Sequence, residues 1–167
     1  ALRDRIGSFV PAHPITGGEV SGVEHADATL YDGRQVILTP TERTLPACLQ
    51  RAEEVWRALG CHVSRMSPDA HDATFAAVSH LPHLLAFAMI SSITSQPHAD
   101  EMLAMAGPGF RDFTRIAASD PKMWRDILRA NQGEVLTQSR LFRQALQNFE
   151  DAMQTDGDQA LEDLITL

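Results

Sequence analysis

The chain has 167 residues, 44% of them hydrophobic and 6% aromatic, enough to bury a sizeable core in one or two domains. Its formal charge of -8 at pH 7 weighs against nucleic acid or an acidic membrane surface as a partner, though not against a small anion held by local arginines. The two cysteines, Cys48 and Cys61, form no C-x-x-C pair, so reduced thiols in a cytoplasm are the plain reading, and no apolar run reads as long enough to span a bilayer.

Ser8 to Val10, with the approach to His13, reads as a short buried strand. Asp32-Gly33 makes a turn ahead of a second strand, Gln35 to Thr39. An amphipathic helix follows, with Leu45, Leu49, Ala52, Val55, Trp56 and Leu59 on one stripe, Thr44 as its N-cap, Pro46 in its first turn and Gly60 at its C-terminal cap. His62 to Met66 reads as a third strand. Three strands around one helix look like the second half of a nucleotide-binding sheet. From Ser67 onward the strand signals cease. Ser67-Pro68-Asp69 opens a helix, and the long apolar run from Asp69 to Ser95 should be kinked or split by Pro82. Gln96-Pro97 opens a short helix that ends at Gly107-Pro108-Gly109, and Asp120-Pro121 opens the next. Ile127, Leu136, Phe142, Leu146, Phe149 and Met153 keep helical spacing, with a break expected near Gly133; Asp156-Gly157-Asp158 reads as a loop before a last helix from Gln159 to Leu167. The expectation is a mainly α protein in which a partial α/β segment of Rossmann type, residues 1–67, precedes an all-helical domain, residues 68–167.

Three short blocks carry chemistry. In residues 12–19, Pro14 biases His13 toward extended backbone, and Gly17-Gly18 lets the chain turn closely around a ligand. A histidine there titrates near neutrality and can take a proton from an alcohol; the plainer alternative is a strand-ending histidine bonded to a carbonyl. In residues 109–121, Arg111 and Arg115 stand four apart on an expected helix, a spacing that suits a carboxylate gripped by guanidinium. The alternative is a solvated pair matched to Asp112 or Asp120, which Phe110, Phe113 and Ile116 weigh against by implying a largely buried segment. In residues 79–83, His80 and His83 flank Pro82. They read either as satisfying the kinked backbone or as half of a metal site with His71 or His62, although no Cys or Glu stands at ligand spacing.

Taken in order, these blocks resemble the prephenate dehydrogenase family over about Phe9 to Asn131. The resemblance implies oxidative decarboxylation of prephenate or arogenate in tyrosine biosynthesis, with NAD or NADP as cofactor and a homodimer built through the helical domain. It implies that His13 bonds the substrate's ring hydroxyl and assists its deprotonation, and that Arg115 binds a substrate carboxylate, with Arg111 a less specific basic position. Gly17, His80 and His83 are implied to line the substrate cleft, one histidine near the substrate and the other structural. Pro108 stands where the family commonly has glycine. No G-x-G-x-x-G lies between a strand and a helix, and Gly107 with Gly109 supplies only the first spacing. The nucleotide site is therefore expected upstream, and the chain is expected to be a fragment that alone neither binds NAD tightly nor turns over substrate. The rival reading keeps the same pocket in a non-catalytic helical dimer that senses an aromatic-pathway acid.

Overall fold

The computed structural model describes residues 3–17, 22–155 and 158–166; Gly18 and Glu19 of the glycine turn, Asp156-Gly157 and Leu167 lie outside them. The chain divides into two compact units, Ala1–His71 and Asp72–Leu167.

In the first unit, a 3-10 helix, Arg3–Ser8, takes the ground where the first strand was expected to begin. Local bonds win there: the Ser8 hydroxyl donates to the Arg5 carbonyl (2.9 Å) and the Phe9 amide to the Ile6 carbonyl (3.2 Å). Strand β1 is thereby confined to Ala12–Pro14. It pairs antiparallel with β2 (Gln35–Leu38), His13 standing opposite Ile37, and β2 pairs in parallel with β3 (His62–Arg65), giving the order β1-β2-β3. A parallel pair needs a crossover, and α1 (Pro46–Ala58) supplies it. Val36 and Leu38 on β2 are fully buried, and with Cys61 they are packed by Tyr31, Leu49, Ala52 and Trp56. The Cys61 thiol donates to the Tyr31 carbonyl (3.3 Å), and both cysteines are free.

Helix α1 departs from its sequence reading at two points. Its N-cap is Leu45, because the Thr44 hydroxyl accepts instead from the Thr41 amide (3.0 Å) in the preceding turn. Its inward face is narrower than the expected stripe: Leu45, Val55 and Leu59 stay exposed, while Glu53 is buried beside Ala52 and Trp56. Glu53 can sit there because Arg65 on β3 and Arg57 one turn on both bind its carboxylate, the latter at 3.1 Å. Past the helix, Gly60 adopts φ 85, where an added Cβ would meet Asp32 Oδ1 at 2.6 Å.

One helix of 27 residues, Pro68–Thr94, then begins with the Ser67 hydroxyl accepting from the Ala70 amide (3.1 Å). Pro82 does not split it. Between α2 (Pro68–Phe75) and α3 (Leu81–Thr94), the turn Ala76–His80 widens to a π-helix in which the Leu81 amide reaches back to the Ala76 carbonyl. Contrary to the sequence reading, this helix is long and apolar enough, by length and composition, to cross a bilayer. In the second unit α3 is the hub, touching the π turn, α4 (Ala99–Ala104), α5 (Pro108–Thr114), a 3-10 turn (Arg115–Ala118) and α7 (Gln132–Gln154). Helix α4 starts after His98, which takes a left-handed φ of 64, two residues later than Gln96-Pro97 implied. Helix α6 (Pro121–Ala130) is capped as its sequence suggests, Asp120 accepting from the Met123 amide (2.7 Å). The break before α7 falls at Asn131, and Gly133 lies inside the first turn of α7. Helix α8 is Asp158–Ile165.

The two arginines around Glu53 hold its carboxyl below its ordinary value, the Arg65 hydrogen bond being the largest cause. A depressed folded-state value means that these ion pairs stabilise the first unit fully above the ordinary carboxylate range, and that the contribution is lost as pH falls through the depressed value. We therefore expect melting temperature to fall less steeply below about pH 5 for Glu53→Gln than for the wild type. Thermal melts across that range check this, and parallel curves would show that other carboxylates carry the acid sensitivity.

Candidate functional site

His13 is held by the sheet. Its strand is bonded to β2, and just beyond it the Ile15 amide donates to the Gln35 carbonyl (2.8 Å) and the Thr16 hydroxyl to the Leu30 carbonyl (3.3 Å). The half-buried ring meets a second imidazole: His13 Nδ1 lies 2.8 Å from His71 Nε2, with ring centroids 5.0 Å apart at 65°. Both histidines belong to the first unit. In the sequence His71 stands out only as a spare metal ligand, and nothing local links residues 58 apart. Among the described residues, an added Cβ at Gly17 meets no atom within 4 Å.

In the second unit His80 and His83 converge on Trp124 of α6. The His83 ring stacks on the indole at 3.6 Å and 20°, and the His80 ring meets it edge-on at 6.2 Å. Their ring nitrogens have opposite roles. His83 Nδ1 lies 3.0 Å from the Ser79 carbonyl, which can only accept, so Nδ1 carries the hydrogen. His80 Nδ1 lies 3.3 Å from Asn131 Nδ2, an amide nitrogen that donates and also bonds the Asp72 carbonyl (2.7 Å). His80 Nδ1 is thus the acceptor. The buried indole N–H of Trp124 meets no acceptor among the described residues. Trp124 and Asn131 were passed over in the sequence; an aromatic residue one turn before Ile127 on a proline-capped helix was the available signal for the first, and Asn131 offered none.

The two arginines do not share one regular helix. Arg111 lies in α5, whereas Arg115 starts the tighter 3-10 turn, which changes the angle between their side chains. The segment is also less buried than expected: Phe110 and Ile116 are half-buried, but Phe113 and both arginines are exposed. Arg111 Nε donates to the Ala106 carbonyl (3.2 Å), a bond that holds the guanidinium without cancelling its charge. Among the described residues no three His, Cys, Asp or Glu side chains gather as a metal-ligand set. Nor do they build a dinucleotide cradle. Pyrophosphate sites use a glycine-rich turn from strand to helix N-terminus, whereas the β2–α1 turn, residues 39–45, contains Pro40 and Glu42 and no glycine.

The structure is thus a small α/β unit followed in sequence by an all-helical unit, with the histidine motifs in both and the Arg111 and Arg115 segment in the second. Residues 1–65 match the family model described as prephenate dehydrogenase, nucleotide-binding domain, and residues 67–167 match that of prephenate dehydrogenase, dimerization domain. The chain belongs to the prephenate dehydrogenase family. It is 38% identical over 133 residues to the prephenate dehydrogenase of Bacillus subtilis, covering 77% of this chain and 35% of that protein. It is 33% identical over 157 residues to the cyclohexadienyl dehydrogenase of Zymomonas mobilis, covering 92% and 54%. Among solved structures, prephenate dehydrogenase from Aquifex aeolicus in complex with hydroxyphenyl propionate and NAD+ superposes with a TM-score of 0.88 at 41% identity, covering 95% of this chain and 56% of that one. The chain therefore spans from about a third to just over half the length of these relatives.

The stack of His83 on Trp124 makes the indole the centre of this cluster. Trp124→Ala should cost about 3–5 kcal/mol of stability, as for other buried aromatic truncations. Urea denaturation measures it, and a loss below about 1 kcal/mol would show that the ring bears little of the packing.

Proposed function

We propose that this chain carries the substrate-binding part of a prephenate or arogenate dehydrogenase, an oxidoreductase that uses NAD or NADP in tyrosine biosynthesis and works as a homodimer. Family membership over both units supports the reaction, and the observation that carries the residue roles is the placement of His13, strapped into β1 with Nδ1 engaged by another ring. Prephenate bears a hydroxyl and a hydrogen on one ring carbon and a carboxylate on the opposite one. His13 accepts the hydroxyl proton, which pushes electron density toward the carbon that loses hydride. Loss of carbon dioxide from the opposite carbon then makes the ring aromatic and draws the reaction forward. Hydride acceptance belongs to the nicotinamide cofactor, for which the described residues build no cradle. What these residues do is bind, orient and hold a proton.

Arg115 is assigned to a substrate carboxylate, with Arg111 adding positive potential. The ligand of the Aquifex structure, a phenol at one end and a carboxylate at the other, has the two handles that such a base and such a cation would take. His80, His83 and Gly17 are assigned to the lining of the cleft. The homodimer is supported by the dimerization-domain match and by the Pro68–Thr94 helix, whose most apolar stretch is only 17% buried within the chain.

In a chain that includes the nucleotide-binding half, His13→Asn should lower turnover by about a hundredfold or more with binding retained, whereas Arg115→Ala should mainly raise KM, by about 1.5–3 kcal/mol. Steady-state kinetics separate the two, and a His13→Asn enzyme within a few-fold of wild type would remove His13 as the base. Light scattering of the present chain should give a dimer at about tens of micromolar. A monomer at that concentration would leave the apolar helix without its proposed cover.

A further inference from the structure

We propose that His71 is a positioning residue for His13: its Nε2 accepts the Nδ1 hydrogen of His13 and so holds that ring in the tautomer whose Nε2 carries the lone pair. The inference rests on the reading of His13 as a base, and it adds which atom acts and what sets it. Two ring nitrogens 2.8 Å apart must share one hydrogen, since facing lone pairs or facing N–H groups would repel at that distance. The neutral pair therefore has two arrangements. If His71 donates, His13 carries its hydrogen on Nε2, and neither nitrogen of His13 can take a proton from an alcohol: one already has a hydrogen and the other faces His71. If His13 donates, its Nε2 is left as the basic atom.

The pair is built to last. His13 is fixed by β1, and His71 lies in the first turn of α2, its amide donating to the Ser67 carbonyl (2.9 Å) in a turn that the Ser67 hydroxyl also caps. The 65° angle between the rings lets the N–H in the plane of one point at the lone pair in the plane of the other. Once His13 is protonated the same bond becomes charge-assisted and strengthens.

Two-bond proton–nitrogen correlation spectra of the 15N-labelled chain, at about pH 8 where histidines are mostly neutral, read the tautomer of each ring directly. His13 is assigned by loss of its signals in His13→Gln. We expect hydrogen on Nδ1 and a bare Nε2 in the wild type. His71→Leu should lose that preference and shift His13 toward the Nε2–H form that unbound imidazoles favour, and His71→Gln, whose amide oxygen can accept, should retain it. A wild-type His13 with hydrogen on Nε2, or a tautomer unmoved in His71→Leu, overturns the proposal. The wild-type spectrum and His71→Gln decide the matter even where His71→Leu does not fold. Because the spectra need no turnover, their outcome stands apart from the kinetic test of His13 as a base.

Discussion

Pro82 has no amide hydrogen, and its ring cannot share space with the carbonyl four residues back, yet it lies in the middle of the longest helix of the protein. An α-helix that ignored this would bend or break, at a cost of about 3 kcal/mol or more. The chain instead widens the preceding turn, so that the Leu81 amide bonds Ala76 and Pro82 falls in the first turn of a renewed helix, where a missing N–H costs nothing. One extra residue per turn shifts the helical phase by about 100°. The helical unit hangs on that shift: Phe75 just before the widened turn and Ala76 at its start are buried, His80 at its end and His83 beyond it reach Trp124, and α3 touches four other helical elements and the π turn.

The same device gives the two histidines opposite polarity. His83 spends its Nδ1 hydrogen on the Ser79 carbonyl in the disturbed turn, so a neutral ring offers a lone pair at Nε2. His80 accepts from Asn131 at Nδ1, so a neutral ring offers a hydrogen at Nε2. At Nδ1, neighbouring rings of one residue type thus differ as donor and acceptor through a backbone carbonyl and one amide.

Legibility in the sequence tracked the range of the interaction. Helix starts governed by proline and a capping side chain one turn away, at Ser67-Pro68 and Asp120-Pro121, were plain because both partners sit within a few residues. Thr44 failed as a cap because Thr41, equally local, competes for its hydroxyl. The first strand was placed early because Ser8 closes a short turn on Arg5, a choice that apolar patterning does not register. The buried Glu53 was invisible, since only β3 brings Arg65 to it. For the candidate site, His13 and the arginines were legible as motif residues. The partners of the histidines were not: His71 meets His13 across 58 residues and Asn131 meets His80 across 51.

Charge shows how an acidic chain can still receive an anion. A net charge of -8 is a statement about the long-range field, which is screened within about 8–10 Å at physiological salt. A carboxylate within hydrogen-bond reach responds instead to the nearest groups. Arg111 is held by the Ala106 carbonyl, a neutral acceptor that costs the guanidinium one of its donors and none of its charge. His13 is likewise oriented by a hydrogen bond, here to the ring of His71. A neutral acceptor that orients a cationic side chain while leaving its charge for a ligand is what the Ala106 carbonyl supplies to Arg111.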